Sequence, residues 1–240
     1  MHSPFVFEFI THVLKDTKQP GYYEAIERQR QSLLEDNAII KVEDFGAGSA
    51  VMRSNRRLVK HIAQTSLKPR KYAQLLSRIT GYYRPQTIIE LGTSLGITTA
   101  YLASGNEGGI VYTLEGAPAI AAIAQRNFEK LQLNNTRLVQ GDFAKTLQPL
   151  LNEVGRIDLA FIDGNHRKAP TIGYFHQLLS HSTSSTILIF DDIHWSEGME
   201  SAWREIKEHP FVTLTIDLFF IGIVLLNPDF KVKQHFTIRF

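Results

Sequence analysis

The chain contains no cysteine among its 240 residues. That single absence excludes disulfide staples, thiolate nucleophiles and thiolate metal sites. There is also no apolar run near the roughly 18 residues that a membrane span requires. The stretch LFFIGIVLL, residues 218–226, is half that length and reads as a buried strand. The opening MHSPFVFEFI lacks the basic n-region and small-residue cleavage site of a signal peptide, so a cytoplasmic location without membrane contact is expected. No repeat or low-complexity tract interrupts the sequence. Acidic residues are missing from 45–89, which holds nine of the 26 basic residues and none of the 24 acidic ones. Such asymmetry marks either an anionic partner or a pair of solvated helix faces.

What is present fits one domain, or one domain with a helical extension. The 43% hydrophobic and 21% charged content and the net charge of +2 belong to an ordinary globular chain able to bury a sizeable core. From about residue 86, short Ile/Leu/Val-rich runs alternate with helical patterns. TIIEL (87–91), IVYTL (110–114), TRLVQ (136–140), IDLAFI (157–162) and TILIF (186–190) are the five runs. Near-continuous apolar strands separated by helices imply a parallel sheet covered on both faces. A helix over 195–207 then precedes FVTLTIDL and FFIGIVLLN, whose short link requires an antiparallel pair. The expected architecture is α/β, a doubly wound Rossmann-like sheet of seven strands, five parallel plus a terminal antiparallel pair. Residues 1–85 carry helical spacing and read as an extension packed on the sheet or over its carboxyl edge. The tail QHFTIRF alternates and suits an edge strand or a dimer contact.

Two glycine loops compete for a cofactor. A nucleotide-binding loop needs a strand before it, a helix after it and an acid at the end of the next strand. IIELGTSLGITTA (88–100) meets all three conditions: Gly92 and Gly96 give the turn, ITTAYLAS starts a helix, and IVYTL runs into Glu115. A carboxylate there accepts from both hydroxyls of a ribose. One strand further on, Gly141-Asp142 places an acid within reach of an adenine amino group. The earlier DFGAGS (44–49) has no second strand and no acidic partner after it. It reads as a helix-capping turn or as a mobile segment at the site's mouth, where Asp44 or Ser49 could face substrate.

IIELGTSLGITTAYLA, VYTLEGAP, VQGDFAKTL, IDLAFIDGNHR and ILIFDDIHW, in that order and spacing, resemble the class I S-adenosylmethionine-dependent methyltransferases. Within that class the chain looks most like the O-methyltransferases of the catechol and caffeoyl-CoA type and their bacterial relatives. The resemblance covers roughly residues 86–227 and implies a cofactor, S-adenosylmethionine, bound by residues of 86–240. Glu90, Gly92, Thr93 and Ser94 would surround the methionine portion, with Gly96 in the turn and Thr98 near the carboxylate. Glu115 would hold the ribose, Asp142 the adenine amino group, and Phe143 would stack on the base. For Glu90 the alternative is a helix-capping carboxylate, and for Glu115 a solvent-facing acid at a strand end.

Asp163 ends the fourth strand, and Asp191-Asp192 the fifth, so three carboxylates converge on the ligand crevice. They would repel one another without a cation, and oxygen ligation suits a hard divalent ion, Mg²⁺ first, then Mn²⁺ or Ca²⁺. The alternative is that Asp191 and Asp192 cap the helix beginning near Trp195. The resembled enzymes carry Asp-Asn where this chain has Asp191-Asp192, and a Lys where it has His166. Histidine titrates near neutral pH and suits a catalytic base beside Asp163; His194 is a second candidate. Trp195, Tyr82, Tyr83, Tyr22 and Tyr23 suit either an acceptor pocket or packing. The expected function is O-methylation of a small hydroxylated acceptor with divalent-metal assistance. The alternatives are an RNA or tRNA methyltransferase using basic residues 53–71, a non-catalytic cofactor-binding module, and, least favoured, a nicotinamide dehydrogenase. Dimers are common among the resembled enzymes, which makes a homodimer the expected assembly.

Overall fold

The computed structural model describes residues 3–42 and 55–240, so the loop at 44–49 lies outside the described residues. Ser3 caps helix α1 (Pro4–Glu8), its side chain accepting from the Val6 amide at 3.5 Å, and Pro4 sits in the first turn, where its missing N–H is harmless. A π-helical turn (Phe9–Leu14) continues α1 and buries Phe9 and Val13. In α2 (Tyr22–Glu35), Tyr23, Ile26 and Leu33 fall on one face and are buried. A small antiparallel hairpin follows, β1 (Ile39–Lys41) with β2 (Arg56–Leu58). The sequence reading has no strand after the glycine loop; β2 corrects this, since three residues are too few to show an alternation. Helices α3 (Val59–Ser66) and α4 (Arg70–Tyr83) complete this part.

From Thr87 the chain alternates: β3 (Thr87–Leu91), α5 (Ile97–Gly105), β4 (Ile110–Glu115), α6 (Pro118–Lys130), β5 (Thr136–Gln140), α7 (Phe143–Val154), β6 (Ile157–Ile162), α8 (Lys168–Leu179) and β7 (Ser182–Asp191). Then come α9 (Glu197–Glu208), β8 (Leu214–Asp217), β9 (Ile221–Leu225) and β10 (Gln234–Thr237). The main sheet has the order β10-β8-β9-β7-β6-β3-β4-β5. Strands β3 to β7 pair in parallel, and β9 runs antiparallel to both β7 and β8. The sheet therefore has eight strands, one more than expected, because the alternating tail pairs in parallel with β8.

Side-chain alternation sends neighbouring residues to opposite faces. Ile88, Leu159 and Ile189 join a cluster with Val6, Phe9, Leu75, Leu76 and Ile79 of the N-terminal helices. Ile89, Ala160 and Leu188 join the opposite one, with Leu147, Leu151, Phe175 and Trp203 of α7, α8 and α9. A third cluster ties Tyr23, Ile26 and Ile62 to Tyr101 and Ile123. Helix α4 lies close against α5: a Cβ on Gly105 would sit 2.1 Å from Thr80 Oγ1, so only glycine permits the approach. This packing brings the connection between α3 and α4 to the carboxyl ends of the parallel strands. Among the described residues no helix is long and apolar enough to cross a membrane.

Candidate active site

A cavity of about 370 Å³ opens at the carboxyl ends of β3 to β7, the crevice where doubly wound sheets bind ligands. Its floor is the second glycine loop. Gly92 has φ +104°, and a Cβ there would lie 2.2 Å from the Asp163 carbonyl oxygen, so β3 and β6 close on each other only through a glycine. The Gly92 and Thr93 amides both donate to Leu114 O at 3.1 Å, folding the loop over the end of β4. The Ser94 amide donates to Glu115 Oε2, and the Ala117 amide to Glu115 Oε1, each at 2.9 Å. Both carboxylate oxygens keep a lone pair for a further donor. Burial pushes the Glu115 carboxyl up from its ordinary value while these amides pull it down.

Gly92, Thr93, Ser94, Thr98 and Glu115 line the cavity. So do Asp142 and Phe143. Asp142 also caps α7, accepting from Ala144 N at 3.0 Å, and the Phe143 ring stands edge-on to Tyr174, centroids 6.0 Å apart. Gly96 and Glu90 do not line it. Gly96, at φ +80°, starts α5 against the Phe128 ring. Glu90 is fully buried behind the loop, where Thr99 and Thr113 donate to its Oε2 at 2.5 and 2.6 Å. Thr113 in turn meets Thr93 Oγ1 at 2.6 Å, so Glu90 supports the loop from beneath rather than capping a helix. Desolvation raises the Glu90 carboxyl to about 7, and its Oε1 has no hydrogen-bond partner.

At the other end of the cavity stand Asp163, His166 and Asp192, with Asp191 buried at 1% exposure just behind. His166 Nε2 is 3.5 Å from Asp163 Oδ1, and its Nδ1 is 3.7 Å from Asp192 Oδ2. A residue that the sequence reading does not single out joins them. The Lys68 ammonium is ion-paired with Asp191 Oδ2 and stands 3.2 Å from Asp163 Oδ2. Burial and the neighbouring Asp163 push Asp191 up to about 8, and burial also raises Asp163; Lys68 pulls both down and is itself held protonated. Asp191 and Asp192 do not cap the following helix: Ser196 does, accepting from Met199 N at 3.2 Å.

Ligand atoms of Asp163, His166 and Asp191 come within 4.8 Å of one another, so their donor chemistry suits a hard cation. The geometry does not. The carboxylates that would ligate such an ion are the ones gripping Lys68, and Asp192, expected as a ligand, is outside that group.

Three non-glycine residues of the cavity wall, Ser94, Asn165 and Asp192, have φ of 48°, 70° and 52°. Left-handed backbone of this kind gathers at ligand sites. Thr65, Ser66 and Lys68, from the end of α3 onward, also form wall, and Ser66 Oγ meets Ser94 Oγ at 2.7 Å. The sequence signal for them was faint: a helical run, then Lys-Pro, inside a stretch without acids. None of Trp195, Tyr82, Tyr83, Tyr22 and Tyr23 lines the cavity. Trp195 is 73% exposed, while Tyr22 and Tyr23 bond Ser77 and Gln74. His194 is likewise elsewhere, 2.9 Å from Asp217.

A family model described as a methyltransferase domain matches residues 89–193. Over 126 residues the chain is 32% identical to a catechol O-methyltransferase of Niastella koreensis, covering 51% of this chain and 55% of that one. It is 27% identical over 153 residues to a catechol O-methyltransferase of Mycobacterium tuberculosis, covering 63% and 66%. The chain thus spans just over half of the first relative's length and about two thirds of the second's. Among solved structures, an SAH-bound methyltransferase of Podospora anserina superposes with TM-score 0.66 at 15% identity, over 95% of this chain and 97% of that one. An O-methyltransferase of Bacillus cereus in complex with SAH gives TM-score 0.61 at 20% identity, over 92% and 97%. Residues 89–193 thus match a methyltransferase domain, and the chain has the Rossmann-like fold of these solved structures.

Proposed function

We propose that the protein transfers the methyl group of S-adenosylmethionine to a hydroxyl oxygen of a small acceptor. The observation that carries this reading is one continuous wall. It runs from Glu115, Asp142 and Phe143 at one end, over the glycine loop, to His166, Asp163 and Lys68 at the other. The first end has the donors and the aromatic face that a ribose and an adenine call for. The second end has a candidate base beside acids, which cofactor binding alone would not need.

When bound, S-adenosylmethionine supplies an electrophilic methyl on a sulfonium, so the protein's part is alignment and proton removal. Glu115 accepts from the ribose hydroxyls. Gly92, Thr93 and Ser94 set how closely the loop approaches the methionine portion. His166 takes the acceptor's hydroxyl proton, with Asp163 3.5 Å from its Nε2 and Asp192 3.7 Å from its Nδ1. The O–H bond breaks to His166, a new O–CH₃ bond forms, and the S–CH₃ pair stays on sulfur. The divalent cation expected from the acid cluster has no part in these steps, because Lys68 takes its place. Of the basic segment, Lys68 is turned inward to the acids.

The test is S-adenosylhomocysteine release from S-adenosylmethionine in the presence of hydroxylated aromatic acceptors or of bulk tRNA. Turnover with the aromatic acceptors supports the reading. Turnover with tRNA alone, or cofactor binding without turnover on any acceptor, overturns it.

A further inference from the structure

We propose that Lys68 is the resident cation of this site, its ammonium standing where a divalent metal ion would otherwise be held by Asp163 and Asp191. Three acids, Asp163, Asp191 and Asp192, end two adjacent parallel strands, and some positive charge must offset them. Lys68 supplies it from the N-terminal part of the chain. The ammonium pairs with Asp191, stands 3.2 Å from Asp163 and lies 5.9 Å from the centre of the Phe161 ring. Its side chain is 11% exposed, so this is a buried arrangement rather than a passing surface contact.

The position of Lys68 is fixed from both sides. Helix α3 ends at Ser66 and α4 starts at Arg70, leaving a three-residue link whose backbone Pro69 restricts at Lys68. Both helices are anchored in the core, through Ile62 and Ala63 on one side and Leu75 and Leu76 on the other. A hard cation needs carboxylate oxygens at about 2.0–2.6 Å. The same oxygens cannot meet that requirement while holding an ammonium.

A resident ammonium changes what the site asks of its substrate. An ammonium has three donors, and two are engaged by Asp191 and Asp163. That leaves one donor for a ligand, and Lys68 lines the cavity. On the methyltransferase reading, it holds the acceptor oxygen once that oxygen has lost its proton. A point charge binds one oxygen and does not chelate, so an acceptor with a single hydroxyl serves as well as one with two adjacent hydroxyls.

The test uses Mn²⁺ as probe on the cofactor-free protein, followed by electron paramagnetic resonance and water-proton relaxation. The expected result is no Mn²⁺ site tighter than millimolar in the wild type and a site at least tenfold tighter than that in Lys68→Met, which Asp191→Asn in the same background abolishes. A wild-type site of micromolar affinity overturns the proposal, as does a folded Lys68→Met protein that gains no site. Thermal melts establish that the variant is folded; if it is not, Lys68→Gln takes its place and the wild-type titration still decides. The readout involves no S-adenosylmethionine, so failure of the methyltransferase reading, seen as absent cofactor binding, is a separate result.

Discussion

The ammonium of Lys68, between α3 and α4, is paired with the carboxylate of Asp191 at the end of β7, 123 residues further along the chain. The contact joins the N-terminal helices to the sheet at the point where the acids converge. A consequence concerns chelators. If turnover is found, EDTA at millimolar concentration leaves it unchanged, and added Mg²⁺ raises it less than twofold. Loss of more than nine tenths of the rate on chelation, restored by Mg²⁺, would contradict this.

Glu90 makes stability depend on pH. Its carboxyl sits at about 7 in the folded chain against an ordinary 4.5, because burial disfavours the charge. Below pH 4.5 it is protonated in both states. Between 4.5 and 7 the unfolded chain releases the proton first, so the wild type loses stability as pH rises, by about 3 kcal/mol in total. Glu90→Gln has no such proton to lose, so the gap between the two proteins should open over that window in denaturant melts. Parallel stability curves would contradict the assignment.

Two glycines should respond in opposite ways to alanine. Gly92→Ala forces a Cβ to 2.2 Å from Asp163 O at φ +104° and should cost about 3 kcal/mol as well as distort the cavity. Gly173, inside α8, has nothing within 4 Å of an added Cβ, so Gly173→Ala should stabilise by about 0.5–1 kcal/mol. Thermal unfolding of both variants measures the contrast.

His166 is the proposed base, and its effect should fall on turnover rather than on cofactor affinity. His166→Ala should lower kcat by about 10²–10⁴ with S-adenosylmethionine affinity within twofold of wild type. An unchanged kcat would remove His166 from the mechanism.

Much of this was legible in the chain itself. The five apolar runs are β3 to β7, and those of β3, β6 and β7 are buried on both faces, so they need no alternation to be recognised. The glycine loop and Glu115, which line the cavity, stand out in the sequence because the strand–turn–helix–strand order is local. What escaped depends on distant contacts. Lys68 is one of nine basic residues in an acid-free stretch, and only the packing of α4 on α5 selects it. Strand ends alone group Asp192 with Asp163 and Asp191, but its left-handed backbone turns it toward His166 instead. Glu90, one residue short of the loop, points beneath it, which strand alternation foreshadows: its neighbours Ile89 and Leu91 face the other side.

The most direct measurement is calorimetric titration of S-adenosylmethionine into the wild type and into Glu115→Ala. The account predicts one site per wild-type chain, weakened at least tenfold in the variant, since a hydrogen bond to a charged group contributes about 1.5–3 kcal/mol. A wild type that gives no heat, or a Glu115→Ala protein that binds as tightly as wild type, would contradict the assignment of the second glycine loop as the cofactor site.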